Sequence, residues 1–148
     1  MNAYLQNLKE ILDLMTDAVY WFNRSFNICK DIGIKQGYSE QELDNLEALA
    51  SRFARVVDII ISKVFRAIDK VEFEEKGTMI DVVNRAEKRG LITSTDRFRE
   101  IKELRNNIVH EYEKGEIVEK FKEIFAASPE VLDIVDRIDN YCKGLIAK

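Results

Sequence analysis

Apolar side chains recur every three or four residues along most of the chain, which is the spacing of one face of an α-helix. No segment of useful length alternates apolar and polar residues, so the pattern predicts no strands. Two long stripes occupy the first half of the chain, and a short connection between such helices predicts antiparallel packing. The first stripe is Leu5, Leu8, Leu12, Met15, Val19, Phe22 and Phe26; the second is Leu43, Leu46, Ala50, Phe53, Val57, Ile60, Val64 and Ala67.

Helix start and stop signals mark the ends of these stripes and the start of a third helix. Gly33 and Gly37 interrupt the first stripe, and Ser39 with Glu42 forms the pattern of a capping box at the start of the second helix. Thr78 is a suitable N-cap for a third helix through Arg89, which Gly90 would end in the left-handed conformation.

The C-terminal half predicts three further helices. Thr93 or Ser94 would cap the fourth, which Lys114-Gly115 interrupts, and a fifth would run from about Glu116 to Ala127. Ser128-Pro129 favours a break there, with Ser as N-cap and Pro as first residue of a sixth helix. We therefore expect a single all-α domain over residues 1–148: an antiparallel helical bundle with two long helices and three or four shorter ones.

The composition is that of a folded globular chain. Hydrophobic residues make up 46% and charged residues 34% of the 148 positions, which excludes an intrinsically disordered chain. No apolar run approaches the roughly 20 residues of a membrane span, and the N-terminal segment lacks the pattern of a signal peptide. Cys29 and Cys142 lack metal-site or redox-motif spacing, so we expect reduced, structural thiols and a cytoplasmic location with no membrane partner.

Charge is distributed unevenly along the sequence. The net charge is −4, which disfavours a general nucleic-acid binder. Residues 76–114 nevertheless hold nine Lys or Arg against seven Asp or Glu, so this segment is weakly basic. Arg97, Arg99 and Lys102 crowd one short helix there and are candidate RNA contacts; a solvated helix surface explains Arg97 and Arg99 equally well.

The same helix carries the most distinctive stretch, Arg105-Asn106-Asn107-Ile108-Val109-His110-Glu111-Tyr112. His110 is the only histidine of the chain and therefore the only side chain whose ordinary pKa lies near neutrality. Arg105 offers a permanent cation whose planar donors suit phosphate, and Asn106 adds an amide beside it. These groups supply a proton shuttle, an anion clamp and a polar orienter, which together can cleave a phosphodiester without a metal or cofactor.

The spacing R-N-x3-H-x-Y resembles the signature of HEPN domains, in particular the HepT-like toxins of prokaryotic toxin–antitoxin pairs. The approach to the motif is also similar: Gly90-Leu91-Ile92 ends one helix, and Phe98, Ile101 and Leu104 lead along the next. The resemblance covers about residues 78–112. It implies a metal-independent endoribonuclease with its active site at a homodimer interface, and a nucleotidyltransferase antitoxin of the MNT type that transfers AMP to Tyr112.

A helical wheel constrains how the motif could work. At about 100° per residue, Phe98, Ile101, Leu104 and Ile108 form the buried stripe. Arg105 and Tyr112 lie about 20° apart at its edge, and His110 lies about 140° from Arg105. An arginine at the rim of a core needs an anion or acceptor. Because one straight helix does not easily aim both groups at one phosphate, the wheel is compatible with a two-fold dimer whose cleft combines both copies.

The residues then have the following expected roles. His110 removes the proton of a ribose 2′-hydroxyl that attacks phosphorus, Arg105 stabilises the phosphoryl charge, and Asn106 orients the histidine or the phosphate. Metal ligation is not expected, because Asp81 and Glu111 lack helical-face spacing to His110. Two alternatives remain: a non-catalytic HEPN accessory or substrate-binding partner of a nucleotidyltransferase, and an unrelated helical scaffold with a chance motif.

Overall fold

The computed structural model describes the backbone of residues 2–114 and 117–148 and the side chains of residues 2–108 and 118–148. These residues form an all-α bundle without strands, as the sequence predicts. No helix among them is both long and apolar enough to cross a membrane. The helices are α1 (Ala3–Ile32), α2 (three continuous segments, Glu40–Ile59, Ile60–Val64 and Phe65–Val71), α3 (Met79–Lys88), α4 (Thr95–Lys114) and α5 (Ile117–Ala147).

Helices α1 and α2 pack side by side in opposite directions. The rings of Phe22 and Phe53 lie 6.0 Å apart, and the Cys29 thiol donates to the Asn45 carbonyl oxygen over 3.5 Å. The residue numbers of the contacting positions on α2 therefore decrease as those on α1 increase, which confirms the predicted antiparallel pair. The stripe residues that meet there form part of one buried apolar cluster shared by all five helices.

A π-helical turn, Ile60–Val64, lies in the middle of α2, where the apolar spacing predicts an uninterrupted α-helix. Residues 56–61 read Val-Val-Asp-Ile-Ile-Ile, and all five apolar members are buried. A regular α-helix would spread such a run over more than one face, whereas a wider turn adds a residue and shifts the phase of the residues after it. Asp58 is the one polar side chain of this run, and it lies two residues before the first residue of the wide turn.

The predicted capping residues of α2 and α3 are confirmed. The Ser39 hydroxyl accepts from the Glu42 amide over 3.1 Å, and the Glu42 carboxylate accepts from the Ser39 amide over 2.9 Å. At α3 the Asp81 carboxylate accepts from the Thr78 amide over 2.8 Å. Gly90 comes after α3 with φ of +76°, the left-handed conformation for which glycine was expected.

Ser94, one of the two predicted candidates, caps α4. Its carbonyl oxygen accepts from the Phe98 amide over 3.0 Å, and its hydroxyl accepts from the Arg97 amide over 3.2 Å. The predicted stripe of α4 faces the core, and Leu104 packs against the core from a partly buried position. The fully buried members of that stripe are Phe98, Ile101 and Ile108.

The predicted helix break at Ser128-Pro129 is wrong, because α5 runs without interruption through both residues. Ser128 is fully buried, and its hydroxyl donates back to the Ile124 carbonyl oxygen over 2.7 Å instead of capping a new helix. An interior proline removes one backbone donor and crowds the carbonyl group four residues earlier, and α5 nevertheless continues through Pro129. The bundle therefore has three long helices, α1, α2 and α5, in place of the expected two. Residues 115 and 116, where the fifth helix was predicted to begin, lie outside the described residues.

A buried ionic cluster joins the C-terminal end of α2 to α3 and α5. The side chain of Asp69 is only 2% exposed and accepts from Arg85 over 2.9 Å and from Arg89 over 2.5 Å. Arg89 also pairs with Glu72 over 2.8 Å, and the Tyr141 hydroxyl of α5 donates to the Glu72 carboxylate. Both oxygens of the buried carboxylate are therefore matched by guanidinium donors, which is what makes its burial tolerable.

Both cysteines are buried and neither forms a disulfide, in agreement with the structural role expected for them. Burial raises the pKa of Cys29 from 9.0 to about 11. Burial, with smaller contributions from Asp139 and Glu72, raises the pKa of Cys142 to about 12. These thiols stay protonated near neutral pH and lack the thiolate character of a reactive cysteine.

Candidate functional site

Arg105 projects from α4 towards α2 with about a third of its side chain exposed. Its Nη2 donates to the Asp58 carboxylate over 2.9 Å, and its Nη1 donates to the side-chain oxygen of Asn106 over 3.0 Å. The wheel placed this arginine at the rim of the core and predicted that it needs an anion, and Asp58 supplies that anion. Two partners thus hold one guanidinium in a fixed orientation at the protein surface.

Asn106 is partly buried beside the arginine. Its side-chain oxygen accepts from Arg105, so its amide NH2 group is left as a donor. The sequence predicts that Asn106 orients the histidine or the phosphate. In the structure it orients the Arg105 guanidinium, and its action on the histidine or the phosphate stays a prediction.

Asp58 was not among the predicted site residues. It is 46% exposed, and its Oδ1 also accepts a long hydrogen bond from the Ser62 hydroxyl, 3.4 Å in length. One signal in the sequence could have identified it: a single aspartate inside the apolar run Val56-Val57-Asp58-Ile59-Ile60-Ile61. An acid in such a run lies close to the core boundary, where it needs a cationic partner.

Arg97 is largely neutralised in this structure. Its Nε donates to Glu130 of α5 over 2.8 Å, its Nη2 also donates to that carboxylate, and its Nη1 donates to Glu100 over 2.9 Å. The hydrogen bonds to Glu130, and to a smaller extent the one to Glu100, raise the pKa of Arg97 above its usual range. A residue predicted as an RNA contact therefore serves in the structure as a link between α4 and α5.

Arg99 and Lys102 remain more available to a ligand. Arg99 is half-exposed, and its nearest described carboxylate contact is a weak one of 3.8 Å to Asp96. Lys102 is partly exposed. Their predicted role in RNA binding stays a prediction.

A cleft of about 410 Å³ lies between α4 and α5, next to the motif. Three carboxylates line it, and the cation among its described walls, Arg97, is already paired with Glu130 and Glu100. A phosphate backbone would be repelled on this side of α4. The lining residues are Arg97, Glu100, Glu103, Leu104, Asn107, Glu123 and Ala126.

His110 and Tyr112 lie outside the residues whose side chains the structure describes. The backbone of α4 continues to Lys114, so both residues belong to the helix that carries Arg105. The predicted roles of His110 in proton transfer and of Tyr112 as a modification site stay predictions. Among the described residues, no group of three or more His, Cys, Asp or Glu side chains is placed to hold a metal ion.

Comparisons with known proteins return no match: no family model fits the sequence, and neither a curated protein nor a solved structure resembles it significantly. The similarity to HEPN domains thus depends on the motif and its helical setting alone. The all-α bundle is compatible with that family, but many unrelated families share this architecture.

Proposed function

We propose that this chain is a metal-independent endoribonuclease of the HEPN superfamily, acting as a HepT-like toxin in the cytoplasm. The proposal joins the RN-x3-H-x-Y motif to one structural observation. Arg105 is held at the surface by Asp58 and Asn106, with contacts of 2.9 and 3.0 Å, and a third of its side chain is still accessible. A guanidinium fixed in advance loses less entropy on binding an anion than a mobile one.

The proposed chemistry is transesterification by the neighbouring ribose hydroxyl. His110 accepts the proton of the 2′-hydroxyl, the 2′-oxygen forms a bond to phosphorus, and the bond from phosphorus to the 5′-oxygen breaks. The departing oxygen takes a proton from a protonated histidine, which a second copy of the chain would provide. Arg105 stabilises the charge on the phosphoryl oxygens, and the products are a 2′,3′-cyclic phosphate and a 5′-hydroxyl.

A homodimer is part of this proposal. The azimuths of Arg105 and His110 differ by about 140° on a regular helix, so the two side chains of one copy do not easily reach the same phosphate. Pairing two α4 helices about a two-fold axis would place the Arg105 of one copy and the His110 of the other at one cleft. Sedimentation at micromolar concentration should show a dimer, and a strictly monomeric chain would contradict this part of the proposal. A nucleotidyltransferase antitoxin that transfers AMP to Tyr112 is proposed as the second partner, on the resemblance alone.

One observation favours the alternative, a non-catalytic HEPN partner of a nucleotidyltransferase. In the described structure, Arg105 pairs with Asp58 and Arg97 with Glu130, so two of the predicted cations are neutralised by carboxylates. Such pairs suit a structural role for both arginines. The exposure of the Asp58–Arg105 pair favours the catalytic proposal over this alternative. An exposed ion pair is weak enough for a phosphate to displace the carboxylate.

RNA cleavage by Arg105→Gln and a matched control tests the proposal. Glutamine preserves much of the length and the hydrogen bonding but removes the charge. Arg137→Gln removes the same charge from α5, where the arginine is 40% exposed and pairs with Asp133 over 2.8 Å. Loss of cleavage in Arg105→Gln with substantial activity in Arg137→Gln supports the proposal. Absence of RNA cleavage by the wild-type chain, or equal activity of all three proteins, contradicts it.

A further inference from the structure

Two aromatic side chains lie exposed in the middle of α1. Tyr20 is 63% exposed and Trp21 is 48% exposed, and their rings meet edge to face with centroids 5.1 Å apart. Aromatic residues usually bury most of their surface. Other apolar side chains line the core side of α1, so this pair is not required to complete the core.

Two arginines lie over the indole of Trp21. The guanidinium carbon of Arg52, from α2, is 5.2 Å from the ring centroid, and that of Arg24, from α1, is 5.9 Å away. The Ser25 hydroxyl also accepts from Arg52 over 2.6 Å. Within the described part of the chain, no carboxylate comes within ion-pair distance of either arginine. Neither guanidinium is thus held in an ion pair by a described side chain, and Arg52 lines a surface pocket together with Asp44 and Glu47.

The exposed side of α2 leads from this aromatic pair to the candidate site. Arg52, Arg55 and Asp58 follow at intervals of three residues, so each step advances about 4.5 Å along the axis and turns about 60° across the face. Arg55, in the middle, is exposed. Asp58 is the residue that binds Arg105. An oblique ridge of about 9 Å thus connects the Trp21 surface with the proposed catalytic arginine.

The polar surface of α2 also changes sign along its length. Before this ridge the charged positions are acidic, and from the ridge onwards cations predominate. The acidic residues are Glu40, Glu42, Asp44 and Glu47, and the cations are Arg52, Arg55, Lys63, Arg66 and Lys70. The formal charge of α2 thus changes from acidic to basic at Arg52, whose guanidinium lies over Trp21, so the cationic part of α2 begins at the aromatic pair.

We infer that Tyr20, Trp21, Arg24, Arg52 and Arg55 form a binding surface for single-stranded RNA. Unpaired bases stack on the aromatic rings and the arginines neutralise the phosphates, which is the usual combination for single-stranded nucleic acid. A strand held there runs along the ridge of α2 and presents a downstream phosphate to Arg105. Only this last step depends on the proposed ribonuclease function; binding at the aromatic surface does not.

A protein partner fits this surface less well. Tyrosine, tryptophan and arginine are enriched at protein interfaces as well, so the distinction comes from charge: two guanidiniums lie over one indole, and no described carboxylate forms an ion pair with either of them. Covering them with an ordinary protein surface would remove water from guanidinium groups without supplying the anions that they need. A polyanion supplies both the compensating charge and the flat rings that stack on tryptophan.

The only tryptophan of the chain provides a direct readout. We would titrate the full-length protein with single-stranded dodecathymidylate, which has no 2′-hydroxyl and cannot be cleaved by the proposed chemistry. Stacking should quench the Trp21 fluorescence in a saturable way, with an affinity that falls as salt rises. Arg55→Gln should weaken binding about fivefold or more, and Trp21→Phe should weaken binding of a dye-labelled oligonucleotide about tenfold, since each stacked base contributes strongly.

Lys143→Gln is the matched control, because it removes one positive charge from an exposed residue away from the aromatic surface. Lys143 lies two residues from Tyr141, and the Tyr141 hydroxyl contacts Glu72 at the opposite end of α2. Its affinity for the oligonucleotide should stay within about twofold of wild type. The inference is overturned if the oligonucleotide leaves Trp21 fluorescence unchanged, or if all three variants bind equally. It is also overturned if Trp21→Phe or Arg55→Gln alters the oligomeric state of the chain without weakening oligonucleotide binding. Binding without RNA cleavage would support this surface and count against the proposed nuclease.

Discussion

Arg105 and Asp58 form an ion pair of 2.9 Å that connects α4, the helix of the RNNIVHEY motif, to α2. The two residues are 47 positions apart in sequence, so only the packing of α4 against α2 brings them together. Both side chains keep contact with solvent, at 33% and 46% exposure. The pair is therefore able to orient the guanidinium and is still weak enough to open when a stronger anion arrives.

Asp58→Asn should strengthen RNA binding without unfolding the protein. Asparagine keeps an oxygen that can accept from Arg105 but no longer competes with a phosphate by its charge. Because exposed ion pairs contribute about 1 kcal/mol or less, we expect up to about a fivefold gain in affinity and almost unchanged melting. Asp133→Asn, an equal charge change at an exposed residue of α5 that pairs with Arg137 over 2.8 Å, serves as the control. Equal gains in both variants would show a general charge effect and no specific role for Asp58.

Asp69→Ala should be far more destabilising than Asp58→Ala. Removing the carboxylate leaves Arg85 and Arg89 without the acceptor that they share in a site where Asp69 is only 2% exposed. Breaking a buried ion pair costs about 3–5 kcal/mol, whereas the exposed pair at Asp58 should cost about 1 kcal/mol or less. Urea unfolding of the two variants checks the difference. Similar losses in free energy of unfolding would mean that the Asp69 cluster is not the structural link inferred here.

The buried thiols predict a loss of stability at alkaline pH. Their pKa values are raised to about 11 for Cys29 and about 12 for Cys142, so the folded chain retains protons that the unfolded chain releases near pH 9. This contribution to stability is complete below pH 9 and disappears as pH rises through the folded-state values. The melting temperature should fall between pH 8 and pH 10.5, and the fall should be smaller in Cys142→Ala. An equal fall in wild type and variant would contradict the assignment.

Tyr112→Phe tests the proposed control by a nucleotidyltransferase. If AMP is attached to the hydroxyl of Tyr112, the variant should keep ribonuclease activity but gain no AMP mass when co-expressed with its cognate transferase. The attached phosphate would add negative charge near Arg105 and occupy it in place of RNA. Intact-mass spectrometry gives the readout. AMP adducts on the variant as frequent as on the wild type, or none on either protein, would exclude this mechanism.

Much of this fold could be predicted because the local signals are strong and agree with one another. Apolar spacing, the capping box at Ser39 and the left-handed Gly90 each depend on residues within a few positions, and the structure confirms all three. Ser128-Pro129 carried an equally strong local signal that tertiary packing overrode. Burial against the core directs the Ser128 hydroxyl to the Ile124 carbonyl oxygen, and α5 continues through a proline that usually stands at a helix start.

The candidate site shows the same division between local and long-range information. The motif and the position of Arg105 at the core rim could be predicted from residues within one helix. The partner Asp58 could not, because a pairing between α2 and α4 depends on how the helices pack. The π-helical turn beside Asp58 was missed for a related reason: the buried run from Val56 to Ile61 could have been accommodated by an ordinary helix with an exposed isoleucine. Core packing decides between the two geometries.

Cleavage of RNA by wild type and His110→Ala, with analysis of the product ends, tests the central claim most directly. The wild-type chain should cleave in the presence of EDTA and leave 2′,3′-cyclic phosphate and 5′-hydroxyl ends. His110→Ala should lose about a hundredfold or more of the rate, the usual contribution of a general base, while circular dichroism and melting stay close to wild type. Equal cleavage by wild type and His110→Ala, or cleavage that EDTA abolishes, would contradict the metal-independent mechanism proposed for this protein.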